Sequence, residues 1–308
     1  MGFLLSFELG FLSFALLLSV PSTVHSQPAP PNRVLDLDGT GDWVELPPAG
    51  FTNLHQATIE VWVKWRAFNT LARVFDFGVP QREMYVGTTV PGTTGLKFMV
   101  VDAAGSRRRE EVYGGFRRSE WAHVAVVTGP GGVRLYLNGM LVATNEFTSS
   151  LSSLGTENYF LGRENYRTNR TPALNGQLDE VRVWSVRRTE EEIRTNLFRR
   201  LTGREPGLAG LWNFDDPAQP GRDASTNGSH GRLVGDARSI PLDLPPPAQV
   251  PPPSLLEGRV TDSEGAPITD ASVIVAQADY FFSGDHNRNI APAPWATVGS
   301  TDHDACHE

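Results

Sequence analysis

Acidic side chains beside predicted turns and strands are the residues of this sequence best suited to chemistry. Asp38 and Asp42 flank a Gly-Thr-Gly turn, and Asp179 starts a run whose alternation places it inward with Val181 and Val183. An inward carboxylate needs a partner, and carboxylate oxygens suit a hard cation such as calcium, which takes about six or more oxygens. The same side chains can instead accept hydrogen bonds from backbone amides. Both interpretations stay open.

Residue patterns for catalysis are weak. Glycoside hydrolysis with retention needs two carboxyl groups about 5 Å apart on one face, whereas Asp179 and Glu180 are adjacent and are expected to point to opposite faces of a strand. His123 lies in an apolar run, which favours a hydrogen-bonded core imidazole over a catalyst. Cys306 lies near the C-terminus between two histidines whose spacing matches no established metal site. We therefore expect a protein that is not an enzyme.

The first 26 residues read as a signal peptide. Phe3 to Val20 is almost continuously apolar and is followed by Pro21 and by small and polar residues, with a suitable cleavage point after Ser26. The uninterrupted apolar run from Phe11 to Val20 is too short to span a membrane comfortably. We expect a secreted, extracellular protein with no stable membrane span after the signal is removed.

Composition and charge exclude several classes of partner. The 308 residues are 40% hydrophobic and 20% charged, which suits one large β domain and a smaller one. A single cysteine leaves no internal disulfide, so the core must hold the fold. The net charge of -8 becomes -7 when the signal and its one charged residue, Glu8, are removed. This mild acidity argues against a nucleic-acid partner.

Residues 34–240 show the alternation of an all-β domain. The run from Thr58 to Trp65 places its apolar residues on one face and Glu60 and Lys64 on the other. Trp121 to Val127 is apolar throughout, which predicts a central strand that is covered on both faces. Asn138-Gly139 separates two alternating runs and predicts a hairpin. Thr189 to Glu192 forms a capping box, which predicts a short helix.

A Pro-rich linker at residues 241–254 separates this domain from the C-terminal segment. Its composition favours extended polyproline II structure over a regular sheet. Residues 255–308 begin with two strand-like runs, Leu256 to Asp262 and Ala271 to Val275, joined by a Gly-Pro turn. Such a short segment is small for an independent domain.

The order of motifs in the first domain resembles the laminin-G-like jelly-roll family, which is related to pentraxins and legume-type lectins of the concanavalin A-like superfamily. The matching segments are Leu35 to Leu46, Ala57 to Lys64, Trp121 to Val127, Val133 to Ala143, Leu161 to Arg163, Asn175 to Trp184 and Gly207 to Asp215. The resemblance implies a concanavalin-like antiparallel β-sandwich. The segment from Glu257 to Val273 resembles the opening of a carboxypeptidase-regulatory-like module, which implies an incomplete, non-catalytic transthyretin-type β-module.

The resemblance also implies a cation site in some members of the family. Pentraxins use acidic and amide side chains that follow a Leu-Gly-x-Glu sequence, and here Leu161-Gly162-Arg163-Glu164 is followed by Asn165. A further carboxylate is expected next, and Tyr166 stands in its place. The candidate ligands of a structural calcium ion are therefore Asp38, Asp42, Glu164, Asn165 and Asp179.

The function that we expect is a secreted recognition or adhesion module that binds an extracellular glycan or protein surface. The alternatives are a structural spacer domain and an accessory domain of a larger enzyme. Carbohydrate binding requires accessible aromatic rings on which sugars can stack. The candidates are Tyr85, Tyr113, Tyr159 and Tyr166.

Overall fold

The computed structural model describes residues 31–89, 95–113, 117–166 and 173–244. The expected signal peptide at residues 1–26, most of the linker at 241–254 and the C-terminal module at 255–308 lie outside the described residues. Among those that are described, no helix is both long enough and apolar enough to cross a membrane.

The described chain is almost entirely β structure, as the sequence predicts. It has one α-helix, α1 (Glu190–Asn196), and two short 3-10 helices, Pro48–Gly50 and Leu151–Ser153. The strands are β1 (Arg33–Asp38), β2 (Trp43–Leu46), β3 (Ala57–Ala67), β4 (Arg73–Val79), β5 (Arg82–Thr88), β6 (Gly95–Val101), β7 (Arg107–Tyr113), β8 (Trp121–Thr128), β9 (Val133–Leu137), β10 (Met140–Asn145), β11 (Asn158–Leu161), β12 (Asn175–Trp184), β13 (Leu208–Trp212), β14 (Arg232–Val234) and β15 (Arg238–Pro241).

Two antiparallel sheets form a sandwich, which confirms the predicted concanavalin-like jelly-roll class. The eight-stranded sheet has the order β10-β9-β8-β3-β12-β1-β15, and β13 pairs with the C-terminal half of β12. The seven-stranded sheet has the order β14-β2-β11-β4-β5-β6-β7. Strand β1 pairs with the first half of β12, and β13 pairs with the second half along the same edge. The sheet therefore forks next to residues 179 and 180.

The core lies between the two sheets. From the eight-stranded sheet, β3 contributes Ile59, Val61, Val63 and Trp65, all of which belong to the main buried cluster. This confirms the period of two that was expected for the strand. From the seven-stranded sheet, Tyr159 stacks on two phenylalanine rings, with centroid distances of 5.8 Å to Phe51 and 4.7 Å to Phe77.

Two local predictions are also confirmed. Strands β9 and β10 pair through Leu137 and Met140, and both Asn138 and Gly139 have positive φ, as a type I′ turn requires. Thr189 and Glu192 form the capping box at the start of α1: each side chain accepts a hydrogen bond from the other residue's backbone amide.

The outer face of the eight-stranded sheet is covered by α1 and the residues around it. Ile193 of the helix is buried together with Ala125 and Val127 of β8, and with Tyr136 of β9. Strand β8 is therefore buried on both faces, as its apolar sequence predicts.

A buried ionic network links the eight-stranded sheet to α1 and the residues around it, which we call the covering segment. The carboxylate of Glu60 accepts a hydrogen bond from Arg188 at 2.7 Å and lies 3.7 Å from Arg182 and 3.4 Å from Nε2 of His123. The two guanidinium groups also donate to backbone carbonyls of the covering segment, Arg188 to Glu192 and Arg182 to Asn196. All four charged or titratable side chains are buried.

The network determines the charge state of Glu60. Burial opposes the charged form, but the imidazole of His123 and the guanidinium groups of Arg182 and Arg188 outweigh it, and they lower the pKa of Glu60 to about 2. Burial is also the main cause that lowers the pKa of His123. The imidazole is a core side chain beside Trp62, with a centroid distance of 5.3 Å.

Replacing Glu60 by Gln should lower the free energy of unfolding at pH 7 by about 3–5 kcal/mol, because two buried guanidinium groups lose their counter-charge. The contribution of Glu60 in the wild-type chain is present above its ordinary pKa of 4.5 and is lost as pH falls toward 2. Urea denaturation at pH 7 and pH 3 measures both effects. The control, Glu191→Gln on the exposed side of α1, should match the wild type, and a Glu60→Gln protein of wild-type stability would refute the role of the network.

Candidate functional site

We refer to the outer face of the seven-stranded sheet, on which α1 does not pack, as the open face. Arg232 and Arg109 near its edges are exposed, whereas Phe160, Asp76 and Tyr85 near its centre are buried. Residues directly opposite one another in antiparallel strands share a face, and the pairing places one residue from each strand in a continuous row. The α-helix of the described chain packs on the other sheet. The row runs, in sheet order, through Arg232, Glu45, Phe160, Asp76, Tyr85, Met99 and Arg109.

Near the centre of this row, a set of acidic side chains lies below the surface. Asp76 is fully buried, and Glu83 and Glu164 are only 3% and 8% exposed. Asn165 donates two hydrogen bonds to Asp76, from its backbone amide at 3.1 Å and from its side-chain amide at 2.6 Å. The Arg73 guanidinium lies 3.4 Å from the Asp76 carboxylate and stacks 3.6 Å above the ring of Tyr85. We refer to Arg73, Asp76, Glu83, Glu164 and Asn165 as the acidic cluster.

The acidic cluster has three carboxyl groups and one buried cation, Arg73, and burial disfavours the charged forms of two of the carboxyl groups. Burial is the main cause that raises the pKa of Asp76 to about 7, against the opposing effects of Arg73 and Asn165. Burial, followed by the charge of Asp76, raises the pKa of Glu83 to about 8. One oxygen of Glu83, one of Glu164 and the amide oxygen of Asn165 are buried without a hydrogen-bond partner. These oxygens are acceptors that are suited to a cation or to a shared proton.

Asp38 and Asp42, two of the predicted ligands, bind backbone amides of their own turn. Asp42 accepts from the Asp38 amide at 2.6 Å, and Asp38 accepts from the Thr40 amide at 2.7 Å. Asp42 is buried, which raises its pKa, and its second carboxylate oxygen has no hydrogen-bond partner.

Asp179 does not face inward with Val181 and Val183, so that prediction is wrong. Asp179 pairs with Trp62, whereas Arg182 pairs with Glu60, so β12 has one residue more than β3 between these pairs. This β-bulge, at which Glu180 has φ of 47°, moves Asp179 to the outer face, while Val181 and Val183 stay in the core.

The carboxylate of Asp179 is buried at the fork between β1 and β13. It accepts hydrogen bonds from the Asn32 side chain at 2.8 Å and from the Glu180 amide at 2.7 Å. Burial, followed by the charge of Glu180, raises its pKa well above the ordinary value.

The bulge also corrects the sequence argument about Asp179 and Glu180. The Glu180 side chain binds Arg182, whose partner Glu60 lies on the same outer face as Trp62, so both acidic side chains reach one face. Both carboxylates are buried and occupied by donors of the protein. Burial, and not opposite orientation, separates these two carboxylates from the solvent.

No single hydrogen-bond network of the described residues therefore gathers the five predicted calcium ligands: Asp42 binds the Asp38 amide, Asn165 binds Asp76 beside Glu164, and Asp179 binds Asn32 and Glu180. Within residues 31–89, 95–113, 117–166 and 173–244, no three His, Cys, Asp or Glu side chains are already placed to hold a metal ion. The sequence reasoning missed Asp76 and Glu83, which the fold brings to Glu164 and Asn165. The available signal was a single acidic residue between Phe75 and Phe77 in an apolar strand.

The four candidate tyrosines have different environments. Tyr159 is a core residue, and Tyr85 is buried beneath Arg73. Tyr113 is half-buried and donates a hydrogen bond to Glu111 at 2.6 Å, and Tyr166 is half-buried beside the acidic cluster. The open face also carries a stack that was not predicted: the Arg163 guanidinium lies 4.2 Å from the Trp43 ring and 5.0 Å from the Phe160 ring.

Comparison with known proteins identifies the family of the domain. Residues 38–194 match the family described as the concanavalin A-like lectin/glucanases superfamily. No curated protein matches the chain. A candidate carbohydrate binding protein from Bacteroides ovatus ATCC 8483 is 22% identical, with a TM-score of 0.54, over 71% of this chain and 62% of its own. At that identity the likeness shows the fold, and the match spans less than two thirds of the Bacteroides protein.

Two further solved structures are similar at a lower score. The CBM40 of Ruminococcus gnavus IT-sialidase, bound to α2,3 sialyllactose, is 18% identical with a TM-score of 0.44, over 53% of this chain and 95% of its own. A native heptameric SAP-like pentraxin from Limulus polyphemus is 17% identical with a TM-score of 0.42, over 54% of this chain and 81% of its own.

Replacing Glu83 by Gln should stabilise the protein at high pH. Because the folded-state pKa of Glu83 is raised from 4.5 to about 8, its contribution to stability is fully present below pH 4.5 and is lost as pH rises to about 8. In the presence of a chelator, Glu83→Gln should exceed the wild type by roughly 2–4 kcal/mol at pH 9 and match it at pH 5. Urea denaturation at both values measures this, with exposed Glu120→Gln as the control. An equal difference at the two pH values would show that Glu83 is charged throughout.

Proposed function

The chain belongs to the concanavalin A-like lectin/glucanases superfamily, and from that membership we propose that it is a secreted, non-catalytic module that recognises extracellular glycans. The observation that carries this proposal is the end of the open face at β14, β2 and β11, where the accessible side chains of Arg232 and Glu45 lie in register with the Phe160 ring. The Asn158 amide lies beside them. Sugar rings bind to proteins through this combination of polar groups and aromatic faces. The Bacteroides protein that shares the fold is named for carbohydrate binding, which supports the proposal.

We propose that the module is not catalytic because its carboxyl groups with raised pKa values are buried. A general acid must lie within hydrogen-bonding reach of the oxygen that it protonates. Asp76 has no exposed surface and is engaged by Asn165 and Arg73, and Asp179 is equally buried. Their raised pKa values follow from burial, which is a property that structural carboxylates share with catalytic ones.

Secretion is proposed from the apolar run between Phe3 and Val20 and the small residues that follow it. An extracellular location suits a glycan partner. The alternatives are a spacer domain, which would bind no glycan, and an accessory domain, which would bind the substrate of an enzyme located elsewhere.

A structural calcium ion at the acidic cluster is the second element of the proposal. Glu83, Glu164 and Asn165 each supply a buried oxygen without a hydrogen-bond partner, and such hard oxygen atoms are the ligands that calcium prefers. Side-chain rotation has to bring these oxygens together, since the described acidic side chains do not already converge on a metal position. Asp38, Asp42 and Asp179 have backbone and side-chain donors of their own, and they are the competing positions.

Calcium should raise the melting temperature, with a stabilisation of about 2.7 kcal/mol at a hundredfold excess over the dissociation constant. Glu164→Gln should remove most of this gain, because a neutral amide is a weaker ligand for calcium. Asp42→Asn and Asp179→Asn serve as matched controls and should keep it. Calorimetry with calcium and with a chelator measures all four proteins.

Each other outcome of the calorimetry has a definite meaning. If Asp179→Asn were the one variant to lose the stabilisation by calcium, the ion would be assigned to the fork of the sheet beside β12. An unchanged melting temperature of the wild type after calcium removal would eliminate the calcium proposal.

The full chain, applied to an array of neutral, sialylated and uronate-containing glycans, should bind a subset of them and release no reducing ends on prolonged incubation. Binding without hydrolysis is expected because the carboxyl groups with strongly raised pKa values, Asp76, Glu83 and Asp179, are buried and out of reach of a glycosidic oxygen. Hydrolysis would contradict the non-catalytic proposal, and binding to no glycan would favour the spacer domain.

A further inference from the structure

A groove of about 350 Å³ lies at one end of the open face, between β2, β11 and the residues that precede β14. Its volume is at the lower end of the range for small-molecule sites, so it can hold a short stretch of a larger ligand. Its polar and aromatic side chains come from Glu45, Glu157, Asn158, Phe160, His230 and Arg232. The groove and the acidic cluster share no residue.

The hydrogen-bonding groups of the groove include defined donors. The Asp223 amide donates to Nδ1 of His230 at 3.1 Å, so Nδ1 is unprotonated and Nε2 carries the hydrogen as a donor. The Arg232 side chain is 70% exposed and pairs with Glu45 through one of its nitrogens. A guanidinium has five N–H donors in all, so it can bind Glu45 and a ligand together.

The groove also contains acceptors and an apolar part. The carboxylates of Glu45 and Glu157 are acceptors, and the Asn158 amide can both donate and accept. Phe160 and Pro47 supply apolar surface beside these groups. The groove therefore combines cationic, anionic and neutral polar groups with apolar surface.

This arrangement discriminates between classes of sugar. An anionic sugar would place its carboxylate near Glu45 and Glu157, and Arg232, which already pairs with Glu45, is the one lysine or arginine among the described residues that line the groove. A neutral pyranose carries adjacent hydroxyl groups that donate to a carboxylate and accept from a guanidinium or an imidazole N–H. Its C–H face packs against aromatic and proline surface.

We propose that the groove between β2, β11 and β14 binds a neutral pyranose residue of an extended glycan. This inference rests on the proposed function, and it names the place and the chemical class of the ligand. Glu157 and Arg232 hold the sugar hydroxyl groups from opposite sides, and His230 donates a further hydrogen bond.

The test uses the full chain and the neutral glycan that gives the strongest array signal, titrated by calorimetry. The double variant Glu157→Gln with Arg232→Gln keeps the net charge and alters exposed side chains only, so it should fold normally and bind at least tenfold more weakly. Asn158→Ala should independently weaken binding of the same glycan. The matched control, Glu190→Gln with Arg194→Gln, removes another exposed ion pair on the opposite side of the sandwich and should bind as the wild type does. Thermal melting of each variant verifies that it is folded.

The possible failures can be told apart. If the wild type binds neutral glycans and both groove variants bind equally well, the groove is wrong while the proposed function stands. If the wild type binds sialylated or uronate-containing glycans and no neutral ones, the assigned sugar class is wrong. If the wild type binds no glycan, the proposed function fails, and this inference fails with it.

Discussion

The buried carboxylate of Glu60 is the interaction on which the organisation of this domain depends. A sandwich has two inner faces that bury each other and two outer faces that need not be covered. Here the Glu60 carboxylate pairs with Arg182 and Arg188. The same two guanidinium groups donate hydrogen bonds to backbone carbonyl groups of the segment that contains α1. The segment that contains α1 is thereby held on the outer face of the eight-stranded sheet, and α1 does not pack on the seven-stranded sheet.

Two groups of buried acids in this domain show how the local balance of charge determines the pKa of a buried carboxyl group. Two guanidinium groups face Glu60, and its pKa falls to about 2. Asp76 and Glu83 share the single nearby buried cation Arg73, and their pKa values rise to about 7 and 8. Loss of the Glu60 charge would leave two buried guanidinium groups without a counter-charge, which is costly. The carboxyl groups of Asp76 and Glu83 are instead shifted toward their neutral forms.

The sequence predicted the features that depend on local patterns. Alternation in β3, positive φ at Asn138 and Gly139, and the Thr189 capping box are properties of neighbouring residues, and the structure confirms each of them. The predicted orientation of Asp179 was wrong because a β-bulge at Glu180 adds one residue to β12. Nothing in the composition of the strand marks the position of this bulge.

The acidic cluster could be predicted only in part, for a different reason. Glu164 ends a recognisable Leu-Gly-x-Glu motif and Asn165 follows it, whereas Asp76 and Glu83 come from separate strands and meet them only through the order of the sheet. The groove between β2, β11 and β14 had no sequence signal, since it joins residues almost 190 positions apart, as the ion pair between Glu45 and Arg232 illustrates. Long-range strand order, and not residue type, is the missing information.

The central claim is that the open face of the seven-stranded sheet is the recognition face. Amide hydrogen exchange of the full chain, with and without a glycan that it binds, tests this claim most directly. Residues 43–48, 157–166 and 230–234 should exchange more slowly in the complex, while α1 and β8 remain unchanged. Protection confined to α1, β8 and β9 would place the ligand on the opposite side of the sandwich and would contradict the account.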